Sequence, residues 1–280
     1  MIVKKIDKNI IKNIENISRE MRIRMVRMVE CARTGHLAPA LSCADIVASL
    51  FFNIMNFNSE NYKDENRDRF VLSAGHKALA LYAAMSLKGI LETEELYTYC
   101  KFNSILGGHP DASKIPGVEI STGSLGHGLP IGTGMALAAK LKNLSYKVYV
   151  LVGDGELLEG SNWEAAFAAN QYNLDNLILI IDRNELCADG SVEEVMDIEP
   201  LKEKWLSFKW SVLEVDGHNI EQLLDAFNSV LLTKGRPTVI IAHTIKGKGL
   251  SFMENKYEWH NKVPNEEQFK IAYEELQRSN

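Results

Sequence analysis

Five short apolar runs, at 69–72, 147–152, 177–181, 210–215 and 238–242, recur along this chain, with segments of helical spacing between them. Runs this short, several of them ending at Gly, Asp or His, read as buried strands. The intervening patterns at 76–87, 129–141, 159–171, 201–206 and 219–232 read as helices. Strands joined through helices lie parallel, because each crossover returns the chain to the same end of the sheet. The expected fold class is therefore α/β, with a central, mainly parallel sheet and helices on both faces.

Two further helices precede the first run. Ile10, Ile14, Ile17, Met21, Met25 and Met28 recur at spacings of three and four and predict one amphipathic helix over 9–32, ending near Gly35. Ser42, with Asp45 three residues on, has the form of a capping box and predicts a second helix running to Met55. No repeat, low-complexity segment or Pro/Gly-rich linker divides the chain, so residues 1–280 read as a single domain. The Gly-rich stretch at 107–134 predicts a long irregular connection, and loops of that size in compact domains are commonly functional.

With 280 residues, 46% of them hydrophobic and 24% charged, the chain can build a full core without disulfides, which excludes disordered and fibrous classes. A formal net charge of −6 argues against a nucleic-acid or anionic-membrane surface. No run of about 20 apolar residues is present to span a membrane. Residues 1–14 lack the apolar core and cleavage site of a signal peptide. Cys31, Cys43, Cys100 and Cys187 form no C-x-x-C pair and read as reduced packing residues. A cytoplasmic protein whose partners are small molecules or other proteins is expected.

The sharpest chemical signal is Gly153-Asp154-Gly155, directly after one apolar run and just before a helical pattern. Ligands of open α/β sheets sit beyond the carboxyl ends of strands, so Asp154 is placed to face a binding crevice. Asn184 follows at the end of the next run, in Ile181-Asp182-Arg183-Asn184. A lone Gly-Asp-Gly reads as a turn; the strand before it and the Asn at the neighbouring strand end favour a site. A carboxylate, an Asn carbonyl and backbone carbonyls suit a hard cation (Mg²⁺, Ca²⁺ or Mn²⁺), which completes its shell with phosphate oxygens and water. The pattern thus predicts a diphosphate held through a metal, with Gly155 allowing close approach of the backbone.

Two weaker signals accompany it. Four of the seven histidines, His36, His76, His109 and His127, each follow a glycine in a loop context and are candidates to line a concave site. A single such His is more often a solvated or capping residue. The segment at 243–249 interleaves Lys246 and Lys248 with Gly247 and Gly249, as in a flexible loop near an anion, and Trp259-His260 follows. It lacks the full P-loop pattern, and Gly126-x-Gly128 with Pro130 behind it is a poor dinucleotide fingerprint.

Thr34-Gly35-His36, Ser73-Ala74-Gly75-His76, Gly108-His109-Pro110, Ser121-Thr122-Gly123-Ser124-Leu125-Gly126-His127-Gly128, Gly153-Asp154-Gly155-Glu156 and Asp216-Gly217-His218 fall in this order along nearly the whole chain. Together they resemble the thiamine-diphosphate enzymes, and within them the N-terminal half of transketolase. The resemblance implies a thiamine-diphosphate-binding fold of the diphosphate-binding type. It makes Asp154, Asn184 and the carbonyl of Leu186 metal ligands, and it puts His76, Gly155 and His260 at the diphosphate. Gly153, Glu156 and Lys246 join the cofactor site, while Gly123 and Leu125 match positions near the thiazolium and aminopyrimidine. His36 and His109 match residues that meet the sugar hydroxyls, so His36, His76, His109 and His260 are the catalytic candidates. Lys262 resembles a lysine near the same pocket, and Glu159 and Glu164 match glutamates at a subunit interface. Departures are Asn261 after His260, Arg183 and Glu185 around Asn184, and Leu-Ala-Pro after His36.

A full-length transketolase is more than twice this long, and its second half brings the glutamate that protonates the aminopyrimidine. The resemblance therefore implies a C-terminal partner subunit carrying the pyrimidine-binding domain and that glutamate, in an α2β2 heterotetramer. The implied reaction is transfer of a two-carbon ketol unit from a ketose phosphate, or an analogue, to an aldose. A subunit of a decarboxylating synthase like 1-deoxyxylulose-phosphate synthase is the nearest alternative, distinguished by carbon dioxide release from pyruvate. A non-catalytic regulatory subunit is the other, distinguished by activity with the partner.

Overall fold

The computed structural model describes residues 6–278; residues 1–5 of the stretch read as leaderless lie outside them. All five expected strands form: β1 (Arg69–Leu72), β2 (Val148–Gly153), β3 (Leu177–Arg183), β4 (Ser211–Asp216) and β5 (Thr238–His243). They make one sheet in the order β1-β2-β3-β5-β4, with every neighbouring pair parallel. The helices are α1 (Lys8–Ala32), α2 (Leu37–Ser42), α3 (Ala44–Ser49), α4 (Ala78–Leu87), α5 (Thr93–Leu96), α6 (Gly128–Leu141), α7 (Gly160–Gln171), α8 (Val192–Met196), α9 (Leu201–Ser207), α10 (Ile220–Leu232) and α11 (Glu266–Arg278).

Strand order explains why both faces are covered. The chain advances across the sheet from β1 to β4, and only the step from β4 to β5 runs back. Crossovers between parallel strands are right-handed, so forward and backward steps place their helices on opposite faces. Accordingly α6, α7 and α9 share one core, whereas α10 joins α1, α3, α4 and α11 in the other. Alternate strand residues divide between the two: Val148, Val150 and Val152 face the first, Tyr149 and Leu151 the second. Burial on both sides is what makes the strand sequences continuous apolar runs.

Two readings need correction. Ser42 does not cap a helix: α2 begins at Leu37, and the Ser42 hydroxyl is taken by the Pro39 carbonyl and the Asp182 carboxylate. Asp45 is likewise claimed by tertiary partners, pairing with Arg22 at 2.7 Å and with His218 Nδ1 at 2.7 Å. The first helix, by contrast, ends at Ala32 as expected, where Arg33 turns left-handed at φ 55°. Of the four free thiols, Cys43 is buried and the half-buried Cys187 packs against one core, whereas Cys100 is exposed, so packing does not account for all four. The sequence reading also missed α5, α8 and α11. Among the described residues no helix is long and apolar enough to cross a membrane.

The α6 helix lies close on β2 because Gly132 has no side chain: a Cβ there falls 2.6 Å from Val150 Cγ2. Gly132→Val is therefore expected to destabilise the chain by about 1–3 kcal/mol. Urea unfolding should show a lower midpoint with an unchanged slope; an unchanged midpoint contradicts this packing.

Candidate active site

The register pairs Gly153 on β2 with Asp182 on β3, so Asp154 and Asn184 leave the sheet side by side at its carboxyl edge. Above that edge lies a cavity of about 300 Å³. Its walls contain every residue expected at the cofactor, the metal or the sugar: His36, His76, His109, Gly123, Leu125, Gly153, Asp154, Gly155, Glu156, Asn184, Leu186, Lys246 and His260. The turn after β1 supplies His76, the turn after β2 residues 153–156, the loop after β3 Asn184 and Leu186, and the loop after β5 Lys246. A second cleft of about 330 Å³ near Trp163 and Phe208 is lined almost wholly by apolar groups and carries no comparable chemistry.

The oxygen set is held in place before any ligand arrives. Asp154, 1% exposed, accepts from the Gly155 amide at 2.8 Å, the Glu185 amide at 2.5 Å and Arg183 Nη1 at 3.1 Å. Burial, with Asp182 nearby, pushes the Asp154 carboxyl above its ordinary range, a charge balance that a cation would reverse. Asn184 Oδ1 accepts from the Leu186 amide at 3.2 Å, which fixes the oxygen end of that side chain. The Leu186 carbonyl accepts from Lys246 Nζ at 3.1 Å and keeps a second lone pair. A Cβ on Gly155 would lie 2.8 Å from Cys187 Sγ, so bare backbone floors the cavity there. Three hard oxygen donors beside exposed backbone fit a divalent cation with a diphosphate. Glu185 stands at φ 66°, a conformation that favours glycine.

Other conspicuous residues serve as scaffolding. The Glu156 carboxylate accepts from the amides of Gly126 at 2.9 Å and Gly153 at 3.2 Å and from Ser73, tying the 122–128 loop to the ends of β1 and β2. His218 Nε2 accepts from the Ile245 amide at 2.8 Å, so its proton is on Nδ1, directed at Asp45. That chain of contacts seats the loop bearing Lys246, whose ammonium also reaches the Cys187 carbonyl at 2.7 Å and His260 Nδ1 at 3.1 Å.

His36, His76, His109 and His260 form one cluster, with ring centroids 5.5 Å apart for His36–His260 and 5.1 Å for His76–His260. His127 does not join it: its exposed ring folds back on the Leu125 carbonyl. Lys262 stacks on Trp259 at 4.8 Å instead of lining the cavity, and Lys248 turns to Glu254. Glu159 and Glu164 are exposed at the start of α7. Four lining residues escaped the sequence reading: Pro39, Lys77, Cys187 and Ala188. Their one signal was adjacency to His36, His76 and Leu186.

An unperturbed imidazole titrates near neutrality, and these four depart from that. Burial lowers all four, and His260, which also faces Lys246, is pushed down to about 3. Lys246 in turn is lowered to about 8 by burial and by Lys77. The imidazoles are therefore neutral donors and acceptors. A buried base kept neutral takes its proton in the unfolded chain first, so its contribution is complete above about 6.5 and is lost as pH falls toward 3. The urea midpoint should drop between pH 6.5 and 4, and less steeply in His260→Asn; equal slopes contradict the burial argument.

Comparison with known proteins gives this geometry a family. Residues 13–276 match the family described as "Transketolase, thiamine diphosphate binding domain". The chain is 46% identical over 266 residues to an apulose-4-phosphate transketolase subunit of Phocaeicola vulgatus, covering 95% of this chain and 94% of that one. It is 41% identical over 244 residues to the 6-deoxy-6-sulfo-D-fructose transketolase subunit SqwG of a Clostridium species, covering 87% and 89%. The crystal structure of Campylobacter jejuni transketolase superposes with a TM-score of 0.90 at 33% identity, over 95% of this chain but 43% of that longer one. The family match over residues 13–276, together with relatives of this identity and coverage, shows that the chain belongs to the transketolase family, and its described fold is that of the family's thiamine diphosphate binding domain.

Proposed function

We propose that this chain is the cofactor-binding subunit of a two-chain transketolase that moves a two-carbon ketol unit from a ketose to an aldose. One observation carries the reading: the diphosphate-type turn, the oxygen donors and the four neutral imidazoles converge on a single cavity. Asp154, Asn184 and the Leu186 carbonyl would hold Mg²⁺, or Ca²⁺ or Mn²⁺ in its place, against the diphosphate. Thiamine diphosphate, once bound, supplies the carbanion and electron sink that cleavage beside a carbonyl requires. The chain's own share is orientation and proton handling. Lys246 donates to His260 Nδ1, which leaves the proton of that imidazole on Nε2 as a donor to hydroxyl or phosphate oxygens. Among the described residues His36 Nδ1 has no partner; it is buried in the same wall and available to a hydroxyl. His109 is the most exposed of the four and suits proton exchange at the cavity edge.

A partner chain follows from the carboxylates. Asp154 and Glu156 are the only two among the residues lining the cavity, and both are committed, one to the oxygen set and one to loop amides. The acid that activates the cofactor must come from elsewhere. Two relatives of matching length carry the word subunit in their names, whereas a single-chain transketolase is more than twice as long. The partner subunit would bring the pyrimidine-binding domain and its glutamate, meeting Glu159 and Glu164 in an α2β2 heterotetramer. The same relatives favour a specialised donor, branched like apulose 4-phosphate or sulfonated like 6-deoxy-6-sulfo-D-fructose, over an ordinary pentose phosphate.

Ketol transfer should be assayed with this chain alone and mixed with its candidate partner, using xylulose 5-phosphate and both specialised ketoses. Turnover is expected only in the mixture, dependent on thiamine diphosphate and a divalent cation. Asp154→Ala should cost about 10²–10³-fold in kcat/KM, the several kcal/mol that a well-held cation supplies. Turnover by this chain alone, or carbon dioxide release from pyruvate, contradicts the proposal.

A further inference from the structure

Beneath the cavity lies a buried cation to which the proposed function gives no part. Lys77, on the turn after β1, is 1% exposed, and its ammonium pairs with Asp182 at the end of β3, which is 0% exposed. Asp182 does not depend on that cation for all its hydrogen bonds, because the hydroxyls of Ser42 and Thr244 also donate to it. The ammonium has three N–H groups, and among the described residues Asp182 is its one hydrogen-bonded acceptor. It also borders the cavity: a Cβ built on Gly153 would be 3.7 Å from Lys77 Nζ, and Lys77 is part of the wall.

Charge makes this position informative. Taking a buried ammonium out of water costs several kcal/mol, and that cost is met when the chain folds, with Asp182 as counter-ion. Burial works against the Lys77 charge, and Asp182 together with Cys43 and Asp154 outweighs it, so the group stays protonated. A diphosphate brings more negative charge than one divalent cation neutralises, and the remainder must be matched by protein cations once it is buried. Arg183 is already spent on Asp154 and Glu199. Lys246 gives its contacts to two carbonyls and His260. Lys77 is the buried cation with donors to spare.

Resting on the function proposed above, we infer that Lys77 is an anion-binding residue, donating its remaining N–H groups to a diphosphate seated on the Gly153–Gly155 turn. The competing role is simple neutralisation of Asp182, and a double substitution separates the two. Lys77→Met alone strands a buried carboxylate, so the informative variant is Lys77→Met with Asp182→Asn, which removes both charges together.

Calorimetric titration of the full chain should use thiamine diphosphate with Mg²⁺ and, as a second probe, inorganic diphosphate with Mg²⁺. The folded double variant is expected to bind both probes about tenfold or more weakly than wild type, the loss of a charge-assisted hydrogen bond. Wild-type affinity in the double variant overturns the inference. A wild-type chain that binds inorganic diphosphate through Lys77 but not thiamine diphosphate would sink the functional reading and leave this one standing. A second measurement needs no variant: the side-chain nitrogen resonance of Lys77 should shift when Mg²⁺ and inorganic diphosphate are added to the wild-type chain, and an unmoved resonance overturns the inference equally.

Discussion

The parallel register of β2 on β3 is the constraint on which the rest depends. Parallel strands end at the same edge, so the turns that follow them open onto one space. Both faces of this sheet are buried, and a slip of one residue would move every side chain of a strand from one core to the other. The pairing of Gly153 with Asp182 is therefore locked by apolar packing far from any polar chemistry. Asp154 and Asn184 inherit their separation from that packing. The cofactor site is precise because the cores beneath it cannot shift.

Electrostatics at this edge follows from burial. Asp154 and Asp182 lie at or below 1% exposure, and each is matched by its own cation, Arg183 and Lys77. Removing one member of such a pair costs about 3–5 kcal/mol, whereas removing both is far milder. Desolvation, with Lys77 and Lys246 close by, keeps His76 and His260 neutral. The sheet edge thus presents a cavity in which Asp154 is ion-paired, Glu156 and Lys246 are hydrogen-bonded to neighbouring groups, and the histidines are neutral.

Much of this was legible in the sequence, for identifiable reasons. Strands buried on both faces announce themselves as unbroken apolar runs, and the five runs were the five strands to within two residues at either end. Asp154 and Asn184 were legible because a strand end fixes where the next residue points. Ser42 and Asp45 misled because their spacing matches a helix cap while their real partners, Asp182, Arg22 and His218, are far away in sequence. Lys77 was hidden for the same reason: nothing local to it shows that β3 will bring a carboxylate to its ammonium. His127 looked equivalent to His36 and His76, since a glycine before a histidine says nothing about which way the ring will face. Glu185 was noted as a departure from the family pattern, and it stands in a left-handed backbone conformation that favours glycine.

The central claim is that the cavity at the ends of β2 and β3 holds a divalent cation and a diphosphate through Asp154, Asn184 and the Leu186 carbonyl. Anomalous diffraction from crystals grown with Mn²⁺ and thiamine diphosphate tests it most directly. The account predicts a manganese peak within bonding distance of those three oxygens, bridged to the diphosphate. A cation placed elsewhere, or a cofactor whose diphosphate lies away from Gly155, would contradict it.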